Sequence, residues 1–264
     1  MKNNKFAFNA LLKKDLKIFF LNRQVLFAII IIVAIFSIVY PLIFSSTIIY
    51  SSGEDLQEVI DMIGGSADTS KAELLSGLLN YLSAFILLTP LMLGNLLGNS
   101  VVTIEKENKT LETILYCPME TKDLIKNKML VTFIPGLIIT IASFICALFS
   151  INIMSLFNNL GVILPSINTI ICCFIFGPVV MFLCLTFTVK FSLRAENSTQ
   201  AQQKSVFFLL PMIFIVIILV FVLNSLGGIY SIILYFIVSS IIFLLAMLLF
   251  KKIVKTFTPE ELLK

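Results

Sequence analysis

Residues 205–250 read SVFFLLPMIFIVIILVFVLNSLGGIYSIILYFIVSSIIFLLAMLLF and hold no Asp, Glu, Lys or Arg. The hydrocarbon core of a bilayer is about 30 Å thick, so one helix needs roughly 20 apolar residues to cross it. Residues 205–250 are long enough for two crossings, with the turn residues Asn224–Gly228 between them. Three more uncharged runs lie upstream, at 24–53, 74–104 and 129–189. The first two each hold one crossing and the third holds two. A charge at the bilayer centre costs on the order of 3 kcal/mol, which accounts for runs this long without one.

The sequence therefore predicts an all-α membrane protein with six transmembrane helices in one domain, residues 1–264. The expected spans are 24–44, 81–103, 129–150, 168–189, 206–224 and 230–250. Composition agrees: 59% of the 264 residues are hydrophobic and 13% charged, where a soluble domain carries about a quarter charged. Mean hydropathy is +1.05. The run from Val25 to Phe44 is too long for the apolar part of a cleavable leader, so the first helix is expected to stay as an anchor.

Charge bias sets the expected orientation. Of 19 basic residues, 18 fall in the segments 1–23, 104–128, 190–205 and 251–264, all on one side of a six-span chain. The 45–80 segment carries six acids (Glu54, Asp55, Glu58, Asp61, Asp68, Glu73) and one base, Lys71. Lys and Arg stay cytoplasmic, so both termini are expected in the cytoplasm of a prokaryotic cell membrane. The net charge of +4 is then a topology signal and gives no reason to expect nucleic acid as a partner.

Several chemistries are excluded. Histidine is absent, which removes imidazole bases, His-ligated metals and Ser–His proteolysis. The five cysteines, Cys117, Cys146, Cys172, Cys173 and Cys184, have no C-x-x-C spacing and read as small hydrophobes, without a metal or disulfide framework. No phosphate-cradling G-x-x-x-x-G-K-[ST] loop exists, so the chain has no ATP site of its own. No ionisable residue lies within a span, which counts against proton- or ion-coupled carriage through a buried carboxylate.

Local patterns fill in the layout. Residues 6–23 place Leu12, Leu16, Phe19 and Phe20 on one face and Lys13, Lys14 and Lys17 elsewhere, which predicts an interfacial amphipathic helix. In 45–80, Leu56, Val59, Ile60 and Ile63 fall at helical spacing, Gly64-Gly65 ends that helix, and Ser70 with Glu73 forms a capping box that starts helix 2 near Lys71. Pro135-Gly136 and Gly177-Pro178 predict kinks in helices 3 and 4, and the Asn224–Gly228 turn leaves room for a re-entrant element. Gly94 and Gly98 form a G-x-x-x-G pair beside Asn95 and Asn99. These four residues make either an internal packing face or a face toward a second copy or a transport path.

The loop between helices 2 and 3 carries the functional signal: I104-EKENKTLETILYCPMETKDLIKNK-M129. It is long for a plain connector. Leu111, Ile114 and Leu115 make a short apolar stripe, Pro118 ends that helix, and Thr121 is the expected N-cap of the stretch leading into helix 3. A short apolar stripe flanked by Glu105, Glu107 and Glu112 suits docking into a groove of a soluble partner. The run Glu105 to Pro118, followed by Lys128, resembles the signature of ABC-2 type transporter permeases, approximately E-[KR]-E-x-G-T-L-E-x-L-L-x-x-P with a lysine opening the third helix. The match covers Glu105, Glu107, Thr110, Leu111, Glu112, Leu115, Pro118 and Lys128; the usual glycine is Lys109 here. Six spans, cytoplasmic termini, an interfacial N-terminal helix and the Ala201-Gln-Gln approach to Pro211 are similar to the family too.

The resemblance implies that 104–128 contains a coupling helix seated on an ABC ATP-binding subunit. It also implies that ATP and Mg sit on that partner and that a second permease copy or a related permease completes the complex. The chain itself is then no enzyme but the membrane subunit of an exporter of a drug, antimicrobial peptide or lipid. The rivals are an ATP-independent secondary carrier and a membrane immunity or assembly protein.

Overall fold

A computed structural model describes residues 13, 14, 16, 17, 21–50, 71–107, 121–195, 197–226 and 228–256. Six long helices account for nearly all of these residues, and no strand occurs among them. We label them α1 (Arg23–Tyr50), α2 (71–107, made of Lys71–Ile86 and Leu88–Glu107), α3 (Thr121–Phe157), α4 (Ile167–Leu193), α5 (Ser198–Leu226) and α6 (Gly228–Thr256). All six are long and apolar enough to cross a membrane. The protein is a multi-pass membrane protein.

Each helix outruns the span expected for it. Hydropathy marks only the part that meets hydrocarbon, whereas backbone hydrogen bonding continues into the interface, where charges are tolerated. So α2 is helical from Lys71 to Glu107 over the described residues, while Ser70 of the expected capping box lies outside them. α3 takes in both Thr121, expected as its cap, and Asn152, expected in the following loop. α5 ends at Leu226 and α6 begins at Gly228, whose φ of +59° suits glycine, so the turn has no room for a re-entrant element. The interfacial helix of 6–23 lies largely outside the described residues; Lys13, Lys14, Leu16 and Lys17 are helical. The acidic helix of 51–70 lies outside them altogether.

Burial separates the helices into a centre and a periphery. Over its apolar window α2 is 72% buried, α4 44%, and α1 and α6 only 17% each. The centre is α2 laid along α4, with α5, α3 and α6 around them. The main cluster joins Leu87, Leu91, Phe176, Val180, Met212, Val216 and Tyr235. Outward, α1, α3, α5 and α6 present Phe27, Ile31, Ile138, Phe149, Phe214, Ile218, Ile241 and Leu248. In water this surface would drive aggregation; in a bilayer it faces lipid.

Two prolines shape the helices. Pro41 has no N–H to give the carbonyl of Ser37 four residues back. The chain answers with a π-helical turn over Ile35–Val39, and Ser150 Oγ of α3 donates to the freed Ser37 carbonyl at 3.1 Å. The same device recurs in α4, where the kink expected at Gly177-Pro178 takes the form of a π-helical turn over Cys172–Phe176, just before Pro178. Pro135 and Pro211 sit inside α3 and α5 without ending them.

Candidate functional site: a polar seam in the bundle centre

The end of the bundle that carries Arg23, Lys122, Lys190, Lys204 and Lys251 is here called the basic end, and the opposite one the far end. Between the centre and the basic end, α2 touches α4 almost backbone to backbone. A Cβ built on Gly94 would stand 3.0 Å from the Met181 carbonyl oxygen, and one on Gly98 would stand 3.0 Å from Thr188 Cβ. The G-x-x-x-G pair thus meets α4 of the same chain.

Asn95 and Asn99 follow each glycine and are buried. Ser205 Oγ donates to the Gln202 carbonyl at 2.9 Å, so it accepts from Asn99, whose Nδ2 lies 2.7 Å away. That fixes the Asn99 amide. Its Oδ1 accepts from Ser192 Oγ at 3.0 Å, and its Nδ2 also reaches Asn95 Oδ1 at 3.3 Å. Thr188 Oγ1 donates to the same Asn95 oxygen at 3.3 Å. Asn95, Asn99, Thr188, Ser192 and Ser205 therefore form one seam joining α2, α4 and α5, with no ionisable group in it. Thr188 and Ser192 escaped notice in the sequence, although their four-residue spacing matches that of Asn95 and Asn99.

Beside the seam a cleft of about 450 Å³ opens between α1 and α2. Val25, Ala28 and Ile32 supply one wall, and Met92, Asn95, Leu96, Asn99, Ser100 and Thr103 the other. Asn22, Gln24 and Gln202 stand at its basic end. Asn22 also caps α1, its Oδ1 accepting from the Gln24 and Val25 amides.

A second polar cluster ties the far end. Asn80 Oδ1 accepts from Ser166 Oγ and, at 2.8 Å, from Thr169 Oγ1. Asn224 Nδ2 donates to the Asn80 carbonyl at 2.6 Å, and Tyr235 OH donates to Asn224 Oδ1 at 2.9 Å. Helices α2, α4, α5 and α6 meet there through neutral hydrogen bonds.

Of the residues expected at the coupling segment, Glu105 and Glu107 lie in the last turn of α2, and Lys128 is buried near the start of α3. Thr110, Leu111, Glu112, Leu115 and Pro118 lie outside the described residues. Among the described residues no group of three or more His, Cys, Asp or Glu could hold a metal ion. No family model, curated protein or solved structure matches the chain.

Proposed function

We propose that the chain is the membrane-spanning permease subunit of an ATP-driven ABC transporter, exporting a hydrophobic or amphipathic substrate in partnership with a separate ATP-binding subunit. The observation that carries this reading is the run from Glu105 to Pro118, with Lys128 after it, between α2 and α3. Segment 108–120 joins the C-terminal turn of α2 to the first turn of α3. A partner that pushes on it acts directly on α2, the most buried helix, which runs on to Glu107 without a break from Leu88. The push reaches α4 and α5 through the Gly94 and Gly98 contacts and the Asn99 hydrogen bonds. ATP and Mg stay on the partner, and a second permease copy or a related permease completes the complex in a prokaryotic cell membrane. What drives transport is a difference in contact between two states of the ATPase; tight binding alone shifts nothing.

Co-purification tests the reading. The chain is expressed with candidate ABC ATP-binding subunits from its source, extracted in mild detergent and compared with the Leu111→Asp and Glu112→Ala variants. The expected outcome is a complex with ATPase activity that Leu111→Asp breaks. A wild-type chain that captures no ATPase, or a complex indifferent to both substitutions, would refute it.

A further inference from the structure

We infer that the cleft between α1 and α2 binds an acyl amphiphile whose head is uncharged and offers hydroxyl and ester oxygens. Three observations carry this. The first is an unused donor. Asn95 is 9% exposed and lines the cleft. Its Oδ1 accepts from Thr188 and Asn99, while its Nδ2 donates to nothing among the described residues and is not sealed from the cleft. The orientation of the amide follows from Asn99, which Ser205 and Ser192 hold in one sense, so a flip of Asn95 would set two N–H groups against each other. An amide donor left without an acceptor in an apolar surrounding costs free energy, and an acceptor arriving in the cleft recovers it.

The second observation is the gradient along the cleft. From Thr103 to Met92 the α2 wall is about 16 Å long at the helical rise. Asn22, Gln24, Ser100, Thr103 and Gln202 lie toward the basic end, where a polar head would sit at the interface. Val25, Ala28, Ile32, Met92 and Leu96 supply apolar wall, and the deepest positions, Ile32 and Met92, are apolar on both sides. The Asn95 amide lies part of the way in, about 6 Å from Asn99 along the helix axis, so an ester carbonyl that accepts from it leaves the adjoining head hydroxyls at the level of Asn99 and Ser100.

The third is charge. Among the described residues every side chain that lines the cleft is neutral. A phosphate or carboxylate would enter without a cation among those side chains, so hydrogen bonds must read the head. The volume of about 450 Å³ falls within the range of small-ligand pockets, roughly 300–1,000 Å³. The same chemistry is offered by a free single-chain monoacylglycerol and by a diacylglycerol drawn from the leaflet. The site does not depend on the transporter reading, because it lies within one chain and needs no ATPase.

The test uses the full chain alone in phosphatidylcholine nanodiscs, with monoacylglycerol and diacylglycerol probes that carry a photoactivatable group on the acyl chain. Labelled peptides are mapped by mass spectrometry. Labelling concentrated on 22–32 and 92–103, displaced by excess monoolein and not by oleate, is the expected result. The more efficient probe of the two identifies the source. Ala28→Phe, which fills the cleft away from the seam, should abolish that labelling, and Asn95→Leu should weaken monoolein competition by about tenfold, the loss of one good hydrogen bond. Labelling spread evenly over all six helices, equal displacement by oleate, or labelling indifferent to Ala28→Phe in a monodisperse protein would each overturn the proposal. Displacement on the wild-type chain decides the matter even if both variants fail to fold.

Discussion

At Gly94 and Asn99 two different forces hold α2 to α4, and their sizes can be ranked. Gly94 allows an approach in which even a Cβ would stand 3.0 Å from the Met181 carbonyl oxygen. Valine there adds two methyl groups with nowhere to go, because the obstacle is backbone. Overpacking of this kind costs about 1–3 kcal/mol. Asn99 instead makes hydrogen bonds to Ser205, Ser192 and Asn95. Such bonds between membrane helices average only about 0.6 kcal/mol, because in the membrane the unfolded chain finds partners too. Gly94→Val should therefore lower the thermal midpoint of the detergent-solubilised protein more than Asn99→Ala does, as read by loss of the monodisperse peak after heating. The reverse order would mean that the polar seam, and not the close approach, is the main fastening. The glycines and asparagines were legible as a packing face in the sequence. Which helix they face was not, because the partner residues Thr188 and Ser192 are ordinary in any apolar helix and acquire meaning only opposite Asn95 and Asn99.

Among the elements, the two π-helical turns share a cause that the chain spells out. Each lies just before a proline that cannot close the ladder behind it, Pro41 in α1 and Pro178 in α4. A π-helical turn is one residue inserted into an α-helix, absorbed without changing the register on either side. Deleting Ile38, which is exposed within Ile35–Val39, should thus leave α1 continuous and keep Tyr40 stacked on Phe85 at 5.2 Å. Deleting Ile30 removes a residue from regular α-helix and rotates everything before it by about 100° relative to the rest. The expected outcome is a monodisperse Ile38 deletion and an aggregated or degraded Ile30 deletion, compared by fluorescence-detected gel filtration of tagged chains. Equal failure of both would show that the turn itself is needed. Pro178 was read as a kink from the sequence, and Pro41 would have given the same signal in α1. That the relief is a π-turn could not be read there, because it depends on a tertiary donor, Ser150, taking the Ser37 carbonyl. The full helix lengths were not legible for a simpler reason: hydropathy measures contact with hydrocarbon, and α3 continues as helix beyond its uncharged run, from Thr121 to Phe157.

For the whole molecule, six spans put the two ends of the chain on one side of the bilayer, and charge decides which side. The six-helix architecture was legible because the need to satisfy every backbone group in hydrocarbon leaves few alternatives to long uncharged helices. The arrangement of those helices was not legible. α1 and α6 are as hydrophobic as most, yet lie at the periphery, whereas α2, with the lowest hydropathy of the six, is the most buried. The inversion is physical: a peripheral helix must be apolar over the wide face that meets lipid, whereas an interior helix can carry Asn80, Thr89, Asn95 and Asn99 against partners. The sequence skew that puts 18 of 19 basic residues in 1–23, 104–128, 190–205 and 251–264 predicts that these segments face the cytoplasm. A green fluorescent protein fused after Lys264 should fluoresce, and alkaline phosphatase inserted near Asp61 should be active, because one reporter folds only in the cytoplasm and the other only outside it. Replacing Lys13, Lys14 and Lys17 with glutamine should leave this unchanged, since the basic residues of 104–128, 190–205 and 251–264 still point the same way. A dark C-terminal fusion with an inactive insertion at Asp61 would invert the protein, place the 104–128 segment outside the cell, and remove any ATPase from its reach.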